Sequence, residues 1–279
     1  MKRKIIIAVA PVKNPGNMLP EQCTNPITPE QVAEQTIACA QAGASMVHLH
    51  VRDNNGEQTG DLTHFSKALD LIRAESDIVI QGSTGGLSTL TLEERCVALN
   101  DVRVQMASLN MGSTNFDDDV YINTLPDIRY WAQRMLEAKV IPECEIFGLS
   151  MINTVHKMAN EKLIKSPFHY NFALGFKSSL SATPDNLFYL KSSLPPEATW
   201  GLVHDGMSDF TLIATAISFG ASVVRVGFED SLYYQPGKTA KSNDVLVKKI
   251  RKLVDFLGFE VATIEEARQL LLEGNRFHC

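Results

Sequence analysis

The chain has 279 residues, 44% of them hydrophobic and 21% charged, with a formal net charge of −6. That length suits one large domain, and a (β/α)8 barrel closes at about 250 residues. The acidic balance excludes nucleic acid and anionic membrane as main partners, because both select a basic footprint.

Met-Lys-Arg-Lys followed by Ile5–Val9 has the look of a signal peptide, but the apolar run is short and meets Pro11 and Lys13 at once. It reads instead as a first buried strand, Lys4–Ala10. The long loop Pro11–Pro26 comes next, and loops of that length in a barrel tend to carry function. Thr28 then caps a helix over Pro29–Ala42, with Pro29 in its first turn and Gly43 closing it. From there short apolar runs alternate with amphipathic ones. Strands are predicted at Ser45–Val51, Ile78–Gln81, Val104–Leu109, Ile141–Phe147, His169–Leu174, Ala198–Leu202 and Ser222–Val226. Helices are predicted between them at Asp61–Ala74, Thr91–Leu99, Tyr121–Glu137, Met151–Asn160, Thr183–Leu194, Ser208–Phe219 and Ser242–Leu257, with a last one over Thr263–Leu272.

The strands are short, apolar on both faces and rich in β-branched residues, as in a buried parallel sheet. Eight βα units in strict alternation predict an α/β protein, a single (β/α)8 TIM barrel over residues 1–279. A doubly wound sheet would call for a Gly-rich phosphate loop after the first strand, and Ala10-Pro11-Val12-Lys13-Asn14-Pro15-Gly16 contains no GxGxxG. Five cysteines (Cys23, Cys39, Cys96, Cys144, Cys279) are odd in number and lack CxxC spacing, which points to reduced thiols in a cytoplasmic protein. No stretch reaches the roughly 20 apolar residues of a membrane span.

Catalytic groups of such barrels project from the C-terminal ends of the strands. Strand 2 ends Val47-His48-Leu49-His50, and residues at i and i+2 point to one face with Cβ atoms roughly 6–7 Å apart. Two imidazoles so placed can converge on one ion, although a pair of core histidines would show the same spacing. Strand 8 ends Arg225-Val226-Gly227-Phe228-Glu229-Asp230. An ordinary solvated acidic pair is one reading; against it, Arg225 in an apolar strand needs a partner if buried. Two histidines and a glutamate form a known zinc set that leaves a fourth position open. Ser83-Thr84-Gly85-Gly86 after strand 3 is an anion-binding turn or a plain loop. Ser108 and Asn110 share a face of strand 4, as Glu143 and Glu145 do on strand 5, where a buried carboxylate needs a task or a partner.

Taken in order, Pro26-Ile27-Thr28-Pro29-Glu30-Gln31, His48-Leu49-His50-Val51-Arg52, Ser83-Thr84-Gly85-Gly86, Leu109-Asn110-Met111-Gly112-Ser113-Thr114-Asn115-Phe116, Pro142-Glu143-Cys144-Glu145 and Arg225-Val226-Gly227-Phe228-Glu229-Asp230 resemble the β-keto acid cleavage enzymes, from about Ile5 to Leu272. The resemblance implies a zinc-dependent barrel, a homotetramer, that condenses a short β-keto acid with acetyl-CoA to give acetoacetate and the CoA ester of the remaining acyl fragment. It implies His48, His50 and Glu229 as ligands of one Zn2+, Asp230 as general base with Arg225 as its ion-pair partner, and Glu145 as an active-site carboxylate. Ser83 and Gly86 match contacts to the substrate carboxylate, and Ser108, with Asn110 on the same strand face, stands where the best-known member of the family has Thr, a change that keeps the hydroxyl. A metal-dependent aldolase acting through an enolate without CoA is the competing reading.

Two stretches depart from the family pattern. Members acting on an amino-bearing aminohexanoate substrate carry a glutamate for its ammonium after strand 1, whereas this chain reads Pro11-Val12-Lys13-Asn14-Pro15, with no acid. Lys13 or Asn14 is expected to meet an anionic or neutral polar distal group, unless Lys13 merely faces water. After strand 6, Gly175-Phe176-Lys177-Ser178-Ser179 replaces a Gly-rich segment and offers Lys177 to a CoA phosphate.

Overall fold

The computed structural model describes residues 3–16, 19–86 and 89–274; Met1, Lys2 and Cys279 lie outside the described residues. Eight strands, β1 (Lys4–Val9), β2 (Met46–Leu49), β3 (Val79–Gly82), β4 (Met106–Asn110), β5 (Ile141–Ile146), β6 (His169–Leu174), β7 (Trp200–His204) and β8 (Val223–Val226), run parallel, each beside the next. β8 pairs with β1 from Ile6↔Val223 to Val9↔Val226, which closes the barrel. All eight predicted strands are present. β7 runs two residues beyond its predicted end, because Ala173 and Leu174 of β6 hold Val203 and His204 in register.

Helices α1 (Pro29–Ala42), α2 (Thr63–Glu75), α3 (Leu92–Arg95), α4 (Leu125–Ala138), α5 (Ser150–Asn160), α6 (Pro184–Ser192), α7 (Thr211–Phe219) and α8 (Asn243–Phe256) each follow the strand of the same number. Local chemistry sets their bounds. Thr28 and Gln31 form a reciprocal capping box on α1, and Gly43 ends it in the left-handed region at φ 120°. A second capping box, Thr124 with Asp127, starts α4 later than predicted. That frees Tyr121 for an antiparallel hairpin, Thr114–Phe116 with Asp119–Tyr121, in place of helix. The helix predicted over Thr91–Leu99 also breaks: α3 is one turn long and tightens into a 3-10 turn, Val97–Asn100. The tighter path seats Ala98 against Gly82 of β3, where even one added Cβ would stand 2.8 Å from the Ala98 Cβ.

α9 (Ile264–Leu271) has no place in the eightfold alternation. It follows Glu260–Val261, which pairs beside Lys4 and Ile5 of β1. Its Ala267, Leu270 and Leu271 pack with Ile6, Met46, Val79, Met106 and Val223 from the strands, forming an apolar plug at the N-terminal end of the barrel. No helix among the described residues is long and apolar enough to cross a membrane. Cys23, Cys39, Cys96 and Cys144 are buried free thiols.

His169 of β6 ties this plug to the barrel, donating from Nε2 to the Leu271 carbonyl at 2.9 Å. Burial lowers its pKa from 6.5 to about 4. Between those values the unfolded chain takes a proton that the folded one refuses, so stability falls as pH drops through this window. The slope for one such group is about 1.4 kcal/mol per pH unit. A His169→Gln variant is expected to lose less of its thermal midpoint between pH 7 and pH 5 than the parent. Equal losses in both proteins would assign the acid sensitivity elsewhere.

Candidate active site

His48 lies in β2, and His50 follows directly after its end, so strand alternation turns both rings to the barrel interior. Their centroids are 5.2 Å apart and nearly perpendicular. Glu229 reaches them across the seam where β8 closes on β1. Gly227 makes that possible: at φ 144° its Cα lies so close to β1 that a Cβ would stand 2.1 Å from the Ala10 carbonyl oxygen. The Glu229 backbone N–H then donates to that same carbonyl at 3.1 Å. The buried side chain of Asn243 fixes the turn from the other side, accepting from Phe228 N at 2.9 Å and donating to Pro11 O at 3.1 Å.

Glu229 Oε1 consequently stands 3.7 Å from His48 Nε2 and 3.6 Å from His50 Nε2. One ligand atom from each of the three residues lies within 4.8 Å of the others. Tetrahedral bonds of about 2.0–2.1 Å put neighbouring ligands roughly 3.4 Å apart, so the triad has the span of a divalent-ion site. Its protonation fits as well. Burial lowers His48 to about 3, helped by Arg225, and burial also lowers His50. Burial thus favours the unprotonated rings, which have a lone pair to give. Burial pushes Glu229 up, but His50, Arg225 and His48 together hold it well below the usual carboxylate range. The donor set suits a borderline-soft divalent cation.

Beside the triad, Arg225 Nε donates to Asp230 Oδ2 at 2.9 Å, while Nη2 reaches both Asp230 Oδ1 and Glu229 Oε1. All three side chains are almost fully buried or nearly so. Burial raises the pKa of Asp230, and the Arg225 charge draws it only part of the way back. Asp230 thus pairs an anchored orientation with more than ordinary carboxylate basicity. Arg225 Nη1 has no hydrogen-bond partner among the described residues.

Glu145 at the end of β5 is a carboxyl of the opposite character. Burial raises it to about 8, with Arg225 pulling the other way, and Asn110 Nδ2 donates to its Oε2 at 3.0 Å. Burial thus favours its protonated form. Glu143 shares its face but sits below it, held by Asn171 Nδ2 at 2.9 Å.

One cavity gathers most of these groups: His48, His50, Glu229, Asp230, Arg225 and Glu145, together with Ser83, Gly86 and Asn14. Ser108 and Asn110 do not line it. Ser108 supports the turn after β3, accepting from Thr84 N at 3.3 Å and giving its carbonyl to Thr84 Oγ1 at 2.6 Å. Asn110 orients Glu145, as above. Lys13 does not line the cavity either; its backbone pairs with the Asn25 side chain at 2.9 and 2.8 Å, although its charge is felt at Asp205 and Asp230. Lys177 pairs with Asp117 at 2.7 Å across the tip of the 114–121 hairpin.

Several lining groups lie outside the sequence reading. Asp205, raised by burial to about 6, follows β7, and ending that strand at Leu202 concealed it. Gln58 belongs to the loop after β2. Phe116 and Tyr121 from the hairpin join Phe147 and Phe176 in an aromatic wall, with Phe116 and Phe176 stacked at 5.0 Å. The signal for the wall was an aromatic residue shortly after each of strands 4, 5 and 6, masked where Tyr121 was absorbed into a helix.

A family profile described as beta-keto acid cleavage enzyme matches residues 4–272. The 3-keto-5-aminohexanoate cleavage enzyme of Acetoanaerobium sticklandii is 39% identical over 248 residues, 88% of this chain and 90% of that protein. The 3-oxoadipate:acetyl-CoA acetyltransferase of Cupriavidus necator is 35% identical over 91% of this chain and 90% of its own. Among solved structures, the binary complex of ObcA with oxaloacetate superposes with a TM-score of 0.77 at 19% identity, covering 88% of this chain and 67% of that one, a likeness of fold.

Proposed function

The chain belongs to the beta-keto acid cleavage enzyme family, and from that premise we propose that it cleaves a short β-keto acid with acetyl-CoA as co-substrate, releasing acetoacetate and an acyl-CoA. The observation that carries this reading is the convergence in one cavity of the His48–His50–Glu229 triad, a buried Asp230–Arg225 pair and a protonated Glu145. Zinc as the resident ion, a homotetramer and a cytoplasmic setting belong to the same proposal, with residues 1–279 acting as one catalytic unit.

A Zn2+ held by His48, His50 and Glu229 supplies a Lewis acid that lowers the cost of negative charge on a keto oxygen. The rest falls to the side chains of the chain. The turn of Ser83 and Gly86 offers hydroxyl and backbone donors to the substrate carboxylate; Gly86 N currently donates to the Tyr121 hydroxyl at 3.0 Å. Asp230, clamped by Arg225, takes the proton from C2 of the keto acid. The resulting carbon nucleophile attacks the acetyl thioester, and the CoA thiolate leaves. Attack of that thiolate on the original keto carbon then breaks the C2–C3 bond, Asp230 returns its proton to C2, and C1 and C2 depart in acetoacetate while the remainder leaves as its CoA ester. Glu145, neutral and aimed into the cavity, holds a proton where oxygen or sulfur charge develops. The aromatic wall excludes water from the reacting carbons.

The distal group of the substrate meets Asn14. Its Oδ1 is occupied by Arg52 Nη2 at 2.6 Å, which leaves the amide N–H as its free function. A donor there suits a carboxylate or carbonyl, not an ammonium. Incubating a panel of β-keto acids with and without acetyl-CoA, and following acetoacetate, tests the proposal. Acetoacetate is expected only with acetyl-CoA, and fastest for acids with a distal acceptor; turnover indifferent to acetyl-CoA would sink it.

A further inference from the structure

The two histidines of the triad are served by different carboxamides. His48 on β2 and Gln81 on β3 are direct partners in the parallel register, so both side chains point inward at the same height. Gln81 Oε1 lies 2.6 Å from His48 Nδ1. An amide oxygen only accepts, so Nδ1 carries the proton and Nε2 is left bare toward Glu229. Gln81 is fully buried and His48 is 2% exposed, so water does not stand in for the acceptor. A carboxamide has a donor end of the same shape as its acceptor end. Gln81 Nε2 has no hydrogen-bond partner among the described residues. The 2.6 Å contact to His48 Nδ1 is made by the oxygen end.

His50 has no such lock. Its Nδ1 faces Gln58 Nε2 at 3.1 Å, a donor, which matches the tautomer with the proton on Nε2. Gln58 sits on a loop folded back by an antiparallel bridge to Arg52 and lies over Gly86, where a Cβ would stand 2.3 Å from its amide nitrogen. The side chain is only half buried, and among the described residues its one recorded hydrogen bond is the one to His50. Half a turn about its last bond puts an acceptor in the same place.

We propose that Gln81 is a positioning residue that holds His48 permanently in the Nδ1–H tautomer, while Gln58 turns over so that His50 adopts it only when an ion binds. The triad is thereby half preorganised: one ligand is preset and the other adjusts. The inference rests on the proposed function only for the presence of an ion, since tautomers are read without one.

Long-range 15N–1H correlation on histidine-labelled, metal-free protein, with His48→Ala and His50→Ala for assignment, is expected to show the proton on Nδ1 of His48 and on Nε2 of His50. Zinc addition is expected to move only the second. A metal-free His48 protonated on Nε2 overturns the proposal. Zinc affinity, measured by competition with a chromophoric chelator, is expected to weaken about 10–100-fold in Gln81→Met and less in Gln58→Met. Gln81→Glu, which keeps an acceptor at Nδ1, is expected to stay near the parent. Thermal midpoints of the metal-free proteins separate lost folding from lost affinity. Parental zinc affinity in a folded Gln81→Met protein overturns the proposal, as does a Gln81→Glu protein that folds and binds as weakly as His48→Ala. Correct tautomers and zinc binding in a protein lacking acetyl-CoA-dependent turnover would instead refute the proposed function and leave this inference standing.

Discussion

Replacing Asp230 with asparagine is expected to lower kcat by about 10²–10⁴-fold while leaving zinc content and KM for the keto acid close to the parent. Of the carboxyls that line the cavity, Glu145 and Asp230 have different partners. Glu145 is raised to about 8, so its protonated form has a proton to give and is too weak a base to take another. Asp230 is fixed by two donors of Arg225, and burial makes it a stronger base than a solvated aspartate. Asparagine keeps the shape and one acceptor for Arg225 but cannot bind a proton at neutral pH. Glu229, the neighbouring ligand candidate, keeps its own contacts to His48, His50 and Arg225. Steady-state kinetics with metal analysis on the same sample check this. An Asp230→Asn enzyme within tenfold of the parent, with its metal intact, would remove Asp230 from proton transfer.

What the sequence made legible follows from where period-2 alternation applies. His48 and His50, Glu143 and Glu145, and Arg225 lie on strands or at their ends, where a period of two puts each pair on one face and the polar residues themselves, among apolar neighbours, mark that face. Glu229 and Asp230 were legible because Gly227 marks a turn immediately after a strand end. Alternation says which residues face the interior, but not how deep they sit. Ser108 and Asn110 face inward as expected, yet each ends behind a cavity-lining group, since depth depends on the stagger between strands. The hairpin bearing Phe116 and Tyr121 was missed because apolar residues after Asp119 continue the helical pattern of α4, and a capping box at Thr124 overrides that pattern. Lys177 has the charge for a phosphate contact but is claimed by Asp117, a partner sixty residues away in sequence that no local pattern announces.

The pairing of Arg225 with Asp230 also predicts how the two substitutions combine. Arg225→Met leaves Asp230 and Glu229 buried without their guanidinium, and removing one partner of a buried ion pair costs about 3–5 kcal/mol. At roughly 2–4 °C per kcal/mol for a chain of this size class, the thermal midpoint is expected to fall on the order of 10 °C. Zinc restores part of the loss, because an ion at the triad compensates Glu229 directly, but it does little for Asp230. Adding Asp230→Asn to Arg225→Met removes the stranded charge, so the double variant is expected to be more stable than Arg225→Met alone, even though each substitution by itself destabilises or inactivates. Activity does not follow stability: both singles and the double lack the oriented base and are expected to be similarly slow, a non-additivity proper to groups that act as one unit. A double variant no more stable than Arg225→Met would show that Asp230 is not the charge Arg225 compensates. In that case the guanidinium would belong to Glu229, and Asp230 would have to be oriented for proton transfer by something other than this pair.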